Sequence, residues 1–411
     1  MAVTTMNHIH FNKNFRVLQK GEQVILGNIF NGLWVKCPDY VFDFLMGCVK
    51  KHYTNEAILR ECLDVETSTY MQNLIDTLSK IDVLQPSGNK EISEGEIDCV
   101  TIELTTGCNL RCSHCCVDCG EIPREDMAFE EIKHVIHWSE EHKVSSIALT
   151  GGEIFIRKDI FKIIHEIKQN FSGKVELLTN GTLIKRSMIP ELVKLVDSIS
   201  LSLDGYDEQS TSEIRGPGVF QKVMDTISQL KQHGFHRISL SMVLMKGTTE
   251  HANTFRELCS SIGVEPVLRV FSPEGRADSN YSLLSPQYRN LQLKPDRNYD
   301  WANIQDKASF KCICNQTSKM FVCANGDIYS CFLTKKPNNL LGTIKELLSN
   351  NLNSVQLMPL VDSVEQCQNC DVRYFCASAC PGHDSSIFLN EEYRREMCGY
   401  AYPYYNQVVW Q

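Results

Sequence analysis

The chemistry-bearing residues of this 411-residue chain are concentrated in one stretch, Cys108-Asn109-Leu110-Arg111-Cys112-Ser113-His114-Cys115-Cys116-Val117-Asp118-Cys119, which holds five of the nineteen cysteines. Cys108, Cys112 and Cys115 form a C-x3-C-x2-C triplet. Three thiolates can hold three irons of a four-iron cube and leave the fourth iron open to another ligand. The spacing therefore offers a catalytic centre as well as a binding one. The alternative is a structural zinc site, which prefers four protein ligands; Cys116 or Cys119 could supply the fourth.

The distribution of the other cysteines favours metal over disulfides. Nine lie between Cys312 and Cys398, and residues 120–258 contain none. Residues 1–15 carry His, Asn and Lys with no apolar core of signal-peptide length, and no apolar run reaches membrane-spanning length. The expectation is a cytoplasmic protein in which clustered thiolates bind zinc or iron–sulfur clusters. A hydrophobic fraction of 43% and a charged fraction of 22% argue against general disorder. A net charge of −9 argues against a non-specific nucleic-acid binder, because neutralising phosphates needs a basic surface.

The triplet follows an alternating β-branched run, Val100-Thr101-Ile102-Glu103-Leu104, that reads as a strand. From there to about Val270, strands at 99–104, 145–150, 174–179, 198–203, 238–245 and 265–270 alternate with amphipathic helices at about 129–142, 159–170, 187–195, 219–233 and 250–262. Six such units fit an α/β fold, a partial (β/α)6 TIM barrel with its site at the C-terminal ends of the strands. Gly151-Gly152-Glu153 would follow strand two, Asn180-Gly181 strand three and Asp204-Gly205 strand four. Asn-Gly and Asp-Gly are also ordinary turn signals.

Residues 1–90 read as a small separate winged-helix module: a hairpin about Lys20-Gly21-Glu22, a strand at Leu33-Trp34-Val35, three helices and a short strand at Val83-Leu84. Nine Lys and Arg against eleven Asp and Glu in residues 1–95 disfavour a DNA-binding wing. An open edge strand suits capture of an extended peptide instead. A polar linker follows, then the barrel at 96–271, a connector at 272–308 with Pro273, Pro286 and Pro295, and a cysteine-rich region at 309–411.

The triplet, with Gly151-Gly152-Glu153 at the end of the next strand, resembles the radical S-adenosylmethionine (SAM) superfamily. The resemblance implies a [4Fe-4S] cluster on Cys108, Cys112 and Cys115, with SAM on the open iron. Gly151 and Gly152 would admit the ligand and Glu153 or nearby carbonyls its amino group. Asn180, Ser202, Asp204 and Arg215 would contact the ribose or the methionyl carboxylate. A 5′-deoxyadenosyl radical would then abstract a substrate hydrogen atom.

Gly326-x4-Cys331, Cys367-x2-Cys370-x5-Cys376-x3-Cys380 and Cys398 resemble the SPASM extension, which implies two auxiliary [4Fe-4S] clusters. Carried over, Cys367, Cys370, Cys376 and Cys398 hold the outer cluster. Cys331 and Cys380 hold the inner one with Cys312, Cys314 or both, and Cys323 as a further candidate. Zinc knuckles are the alternative here. Phe271-Ser272-Pro273-Glu274-Gly275-Arg276-Ala277 also resembles the segment after the sixth strand in this group. Cys116 sits where many members carry an aromatic residue, and Cys119 is unassigned, a buried thiol or a residue of the substrate channel. His114 is expected to be a polar neighbour.

Residues 1–90 resemble the precursor-recognition module of enzymes that mature ribosomally made peptides, as in sactipeptide and ranthipeptide maturases. That implies thioether bridges from a substrate cysteine to a carbon, a precursor peptide bound through its leader, and a flavodoxin- or ferredoxin-like electron donor. Carbon–carbon crosslinking, modification of a protein or small molecule, and a redox-sensing regulator are the other readings.

Overall fold

The computed structural model describes residues 8–86, 97–284, 308–310, 318–353, 360–362, 364–376 and 391–411. At the N-terminal end, β1 (Ile9–Phe11) is followed by a three-stranded antiparallel sheet of β2 (Phe15–Lys20), β3 (Gln23–Asn28) and β4 (Trp34–Pro38). Three helices follow, α1 (Asp39–Lys50), α2 (Asn55–Arg60) and α3 (Val65–Lys80), and then β5 (Leu84–Pro86). The hairpin, third strand and helices lie where the apolar periodicity puts them. The periodicity does not show β1, whose three residues pair antiparallel with β5. Helix α3 starts at a capping box in which Asp64 and Thr67 satisfy each other's backbone N–H groups. It buries Met71, Leu74, Ile75 and Leu78, one face at helical spacing.

The central sheet contains β6 (Cys99–Glu103), β7 (Ser146–Thr150), β8 (Lys174–Thr179), β9 (Ser198–Ser202), β10 (Ile238–Leu244) and β11 (Glu265–Val270), adjacent in sequence order and all parallel. Helices α4 (Phe129–Glu141), α5 (Ile160–Asn170), α6 (Ile189–Leu195), α7 (Glu208–Arg215), α8 (Val219–Gln232) and α9 (Ala252–Ile262) make the return connections. The result is the expected α/β partial barrel. Each helix supplies an apolar stripe, as in α5, where Ile160, Ile163, Ile164 and Ile167 are all buried. In β6 the period of two sends Val100 and Ile102 into the helix-covered core and Thr101 and Glu103 to the other face.

Helix α7 is absent from the sequence-based assignment because Glu208-Gln209-Ser210-Thr211-Ser212 carries almost no apolar residue. Its start is fixed by Asp207, whose carboxylate accepts from Ser210 N at 2.8 Å. After β11 come two short helical turns, α10 (Arg276–Ser279) and α11 (Tyr281–Leu284).

The cysteine-rich region extends the same sheet. β12 (Lys319–Val322) pairs parallel with β6, and β13 (Asp327–Tyr329) and β14 (Gly342–Thr343) continue it antiparallel. The N-terminal sheet packs against this end. Leu18, Ile25 and Trp34 belong to the main hydrophobic core, and Trp34 Nε1 donates to Ala308 O at 2.7 Å. Phe310 occupies the space beside Gly27, where an added Cβ would lie 2.2 Å from its ring. Arg16 pairs with Asp362 at 3.3 Å and Lys20 with Asp371 at 3.0 Å. The expected separate module is thus joined to the rest by shared core as well as by surface pairs.

Candidate active site

The chain leaves β6 through Thr105-Thr106-Gly107 and enters the cysteine loop. Thr105 pairs with Asp126, its hydroxyl donating to Asp126 Oδ1 at 2.5 Å, so the strand end is pinned before the loop begins. Leu110 N donates to Cys108 Sγ at 3.4 Å, and Cys115 N to Cys112 O at 3.2 Å. Ser113 N donates to Ile214 O at 3.0 Å, which ties the loop to the end of α7. Positive φ angles at Asp118 (52°) and Gly120 (84°) turn the chain back. All three triplet cysteines are only partly buried.

Gly151 and Gly152 abut the root of this loop. A Cβ on Gly151 would meet Thr105 O at 2.3 Å, and one on Gly152 would meet Gly107 O at 2.3 Å and Cys108 Cβ at 2.9 Å. Gly152 N donates to Thr105 O at 2.8 Å and Glu153 N to Gly107 O at 2.9 Å. The two glycines are therefore required for protein–protein backbone approach, whatever ligand they also admit.

Glu153 is fully buried, which raises its carboxyl pKa above the usual carboxylate range. Its oxygens accept from Phe155 N (3.0 Å), Thr179 Oγ1 (2.7 and 2.9 Å) and Asn180 N (2.7 Å). This carboxylate holds the turn after β8 rather than standing open on the rim. That turn presents Asn180, whose Nδ2 donates to Asn109 Oδ1 at 3.0 Å and lies 3.9 Å from Cys108 Sγ. Asn109 Nδ2 donates in turn to Thr182 Oγ1 at 2.9 Å. Sequence reasoning missed Asn109, Thr179 and Thr182; Asn180-Gly181 marked the turn but not its partners.

Asp204 follows β9 with φ of 59°, a left-handed conformation uncommon for a non-glycine residue. Ser202 ends β9, half-buried and in register with Ser241. Asp204 is 1% exposed, and its Oδ2 receives Arg215 Nε at 2.6 Å, Arg215 Nη2 at 2.5 Å and His114 Nε2 at 3.0 Å. Oδ1 accepts from Val243 N at 2.6 Å. Burial alone would raise its pKa, but Arg215 and His114 hold it well below the carboxylate range. Arg215 Nη1 reaches to 3.7 Å from Cys112 Sγ, so one guanidinium bridges a carboxylate and a thiol of the triplet. Asp204 thus pairs with both Arg215 and His114 inside the protein.

The thiols themselves differ. Burial pushes Cys108 up to about 11 and raises Cys112 as well, against the pull of Arg215. Cys115 is depressed, first because the Cys119 thiol hydrogen-bonds it, and Cys119 is raised by the same contact. Burial pushes Cys116 up to about 12. A donor set of three thiols in one loop, one of them already disposed to be a thiolate and another beside a guanidinium, suits an iron–sulfur cluster.

Of the distal cysteines, Cys323 follows β12 and is buried, and Cys331 starts a single helical turn (Phe332–Thr334). Lys335 beyond it pairs with the buried Glu103 of β6 at 2.9 Å. Cys370 N donates to Cys367 O at 2.9 Å, and Cys376 follows one turn later. Burial first, and then the thiols of Cys398 and Cys370, push Cys367 up to about 11. Cys312, Cys314 and Cys380 lie outside the described residues.

Residues 102–259 match the Radical SAM superfamily. The mycofactocin maturase MftC of Mycolicibacterium smegmatis is 27% identical over 208 residues, covering 49% of this chain and 51% of its own length. The chain spans about half the length of the curated relatives it matches. Streptococcus suis SuiB bound to S-adenosylmethionine aligns with a TM-score of 0.51 at 16% identity, over 91% of this chain and 98% of SuiB. SuiB bound to precursor peptide SuiA gives 0.51 at 15% identity, over 93% and 97%. Native anSMEcpe with bound AdoMet and Kp18Cys peptide gives 0.53 at 18% identity, over 75% and 98%.

Proposed function

We infer that this protein is a radical SAM enzyme, from the match of residues 102–259 to the Radical SAM superfamily and from their parallel-stranded partial-barrel fold. We propose that it modifies a ribosomally synthesised precursor peptide by forming Cys-to-carbon thioether crosslinks. The observation that carries the first part is the cysteine triplet, its root hydrogen-bonded to Gly152 and Glu153 and its Cys112 beside Arg215. The peptide part is supported by MftC, named a maturase, and by the SuiA and Kp18Cys peptides bound to SuiB and anSMEcpe.

Cys108, Cys112 and Cys115 would hold a [4Fe-4S] cluster as thiolates. Together, the cluster and SAM supply hydrogen-atom abstraction through a 5′-deoxyadenosyl radical. The protein's own residues prepare the place for it. Arg215 favours thiolate at Cys112, and Asp204 fixes the direction of that guanidinium. Gly151 and Gly152 keep the loop root close to the second strand, and Glu153 orients the Thr179–Asn180 turn towards Cys108.

Two auxiliary [4Fe-4S] clusters belong to the same proposal. Cys367, Cys370, Cys376 and Cys398 would hold one. Cys331 and Cys380 would hold the other with Cys312, Cys314 or Cys323. Residues 1–90 act in this reading as a winged-helix element that binds the leader of the precursor. Electrons come from a flavodoxin- or ferredoxin-like donor in the cytoplasm. No helix among the described residues is long and apolar enough to cross a membrane.

The test is mass spectrometry of a cysteine-containing peptide encoded beside this protein, after anaerobic incubation with SAM and reductant. Each thioether bridge would cost the carbon a hydrogen atom, taken by the adenosyl radical, and the sulfur a proton, with the surplus electron passed to an auxiliary cluster, so a loss of two hydrogens per bridge is expected. Bridges in a cysteine-free precursor would replace thioether formation by carbon–carbon crosslinking.

A further inference from the structure

The segment after the sixth strand forms a strap across the cysteine loop. Gly275 has φ of 56° and ψ of −133°, a conformation that essentially only glycine adopts. A Cβ there would lie 2.9 Å from Cys116 C and 3.0 Å from both Cys115 O and Cys116 O, so the strap lies directly on the loop backbone. Arg276 N donates to Cys115 O at 3.0 Å. Its side chain reaches two more carbonyls, Nη1 to Cys112 O at 2.8 Å and Nη2 to Cys119 O at 3.1 Å. Arg276 Nε is 3.2 Å from Glu121 Oε1, and Asn280 Nδ2 donates to Ser113 O at 2.9 Å. The Arg276 side chain is 11% exposed.

We propose that Arg276 is a positioning residue for the cluster-bearing loop, locking the backbone of Cys112, Cys115 and Cys119 and setting how readily the bound cluster accepts an electron. The proposal rests on reading Cys108, Cys112 and Cys115 as cluster ligands. Two properties of the residue carry it. A guanidinium presents several donors in a rigid fork, so one side chain can hold two carbonyls at once, which an ammonium on a flexible stem does poorly. It is also a permanent, mostly buried positive charge lying directly against the loop. Reduction adds a negative charge to a cluster, and a nearby buried cation stabilises the reduced state. Removing the cation makes the cluster harder to reduce, and removing the fork loosens the loop. Lysine separates the two effects.

The experiment is a redox titration of the anaerobically reconstituted full-length protein. It is followed by electron paramagnetic resonance, reading only the component that changes when SAM is added. For Arg276→Gln, the reduced-to-oxidised ratio at a fixed potential falls about tenfold, equivalent to a midpoint about 59 mV more negative for one electron. Iron is also lost to a chelator several-fold faster. Arg276→Lys keeps a midpoint near that of the unmodified protein but still loses iron faster. Wild-type midpoints and wild-type iron loss in both variants would overturn the proposal. If Arg276→Gln fails to fold, judged by melting of the apo-protein, iron loss from Arg276→Lys decides alone. An unmodified protein with no SAM-sensitive signal would instead overturn the cluster assignment beneath it.

Discussion

Arg215 stands between a carboxylate and a thiol, and this placement makes it the most consequential charged residue of the site. Asp204 is its counter-ion, and breaking a buried pair from one side leaves a charge without compensation. Asp204→Asn is therefore expected to destabilise the apo-protein by about 3–5 kcal/mol, measured by urea unfolding. A change below about 1 kcal/mol would mean that the pair behaves like an exposed one. The sequence put Asp204 at the rim and offered Arg215 as a charged contact for the same ligand. It could not show that they face each other, because a left-handed Asp and a helix end eleven residues later meet only through the fold. Gly152 makes a second residue-scale prediction. With Gly107 O at 2.3 Å from an added methyl, backbone must move, so Gly152→Ala is expected to cost about 1–3 kcal/mol. It should also weaken the SAM-responsive cluster signal, because Cys108 Cβ lies only 2.9 Å from the added carbon. An unchanged signal would show that the loop root is free to shift.

Among the elements, the six parallel strands and most of their helices were readable because each carries a complete apolar stripe at one period. Helix α7 was not, since its stability comes from the Asp207 cap and from packing rather than from its own apolar residues. The pairing of β12 with β6 was equally hidden, since no local pattern says which distant strand a buried edge will take. The same holds for the join between the N-terminal sheet and the rest. Phe310 beside Gly27 is a contact between segments 283 positions apart, and nothing in either segment announces it. Phe310→Ala is expected to cost about 3–5 kcal/mol. Gly27→Val, which places methyl groups where the ring lies, should undock the sheet. Limited proteolysis would then cut between residues 87 and 96 faster than in the unmodified protein. Unchanged cleavage would contradict the docking.

For the molecule as a whole, the two cysteine-rich regions share one sheet. The triplet leaves the end of β6, and the strand that opens the distal region pairs with β6 directly. Lys335, close to Cys323, forms an ion pair with Glu103 of that strand. Cysteine-rich patches far apart in sequence are thereby joined through one sheet, as electron exchange between the proposed clusters would require. Because Leu18, Ile25 and Trp34 enter the main core, deleting residues 1–90 would expose that core as well as remove the proposed peptide site. Precursor binding is better tested with single substitutions on the outer face of the module.

The central claim is that the triplet holds a catalytic cluster, and release of 5′-deoxyadenosine tests it most directly. The anaerobically reconstituted protein, given SAM and a strong reductant, is expected to release the nucleoside. The variant with Cys108, Cys112 and Cys115 all changed to Ala should release none while keeping its distal iron. A preparation that binds zinc in place of iron, or a triple variant that still cleaves SAM, would contradict the claim.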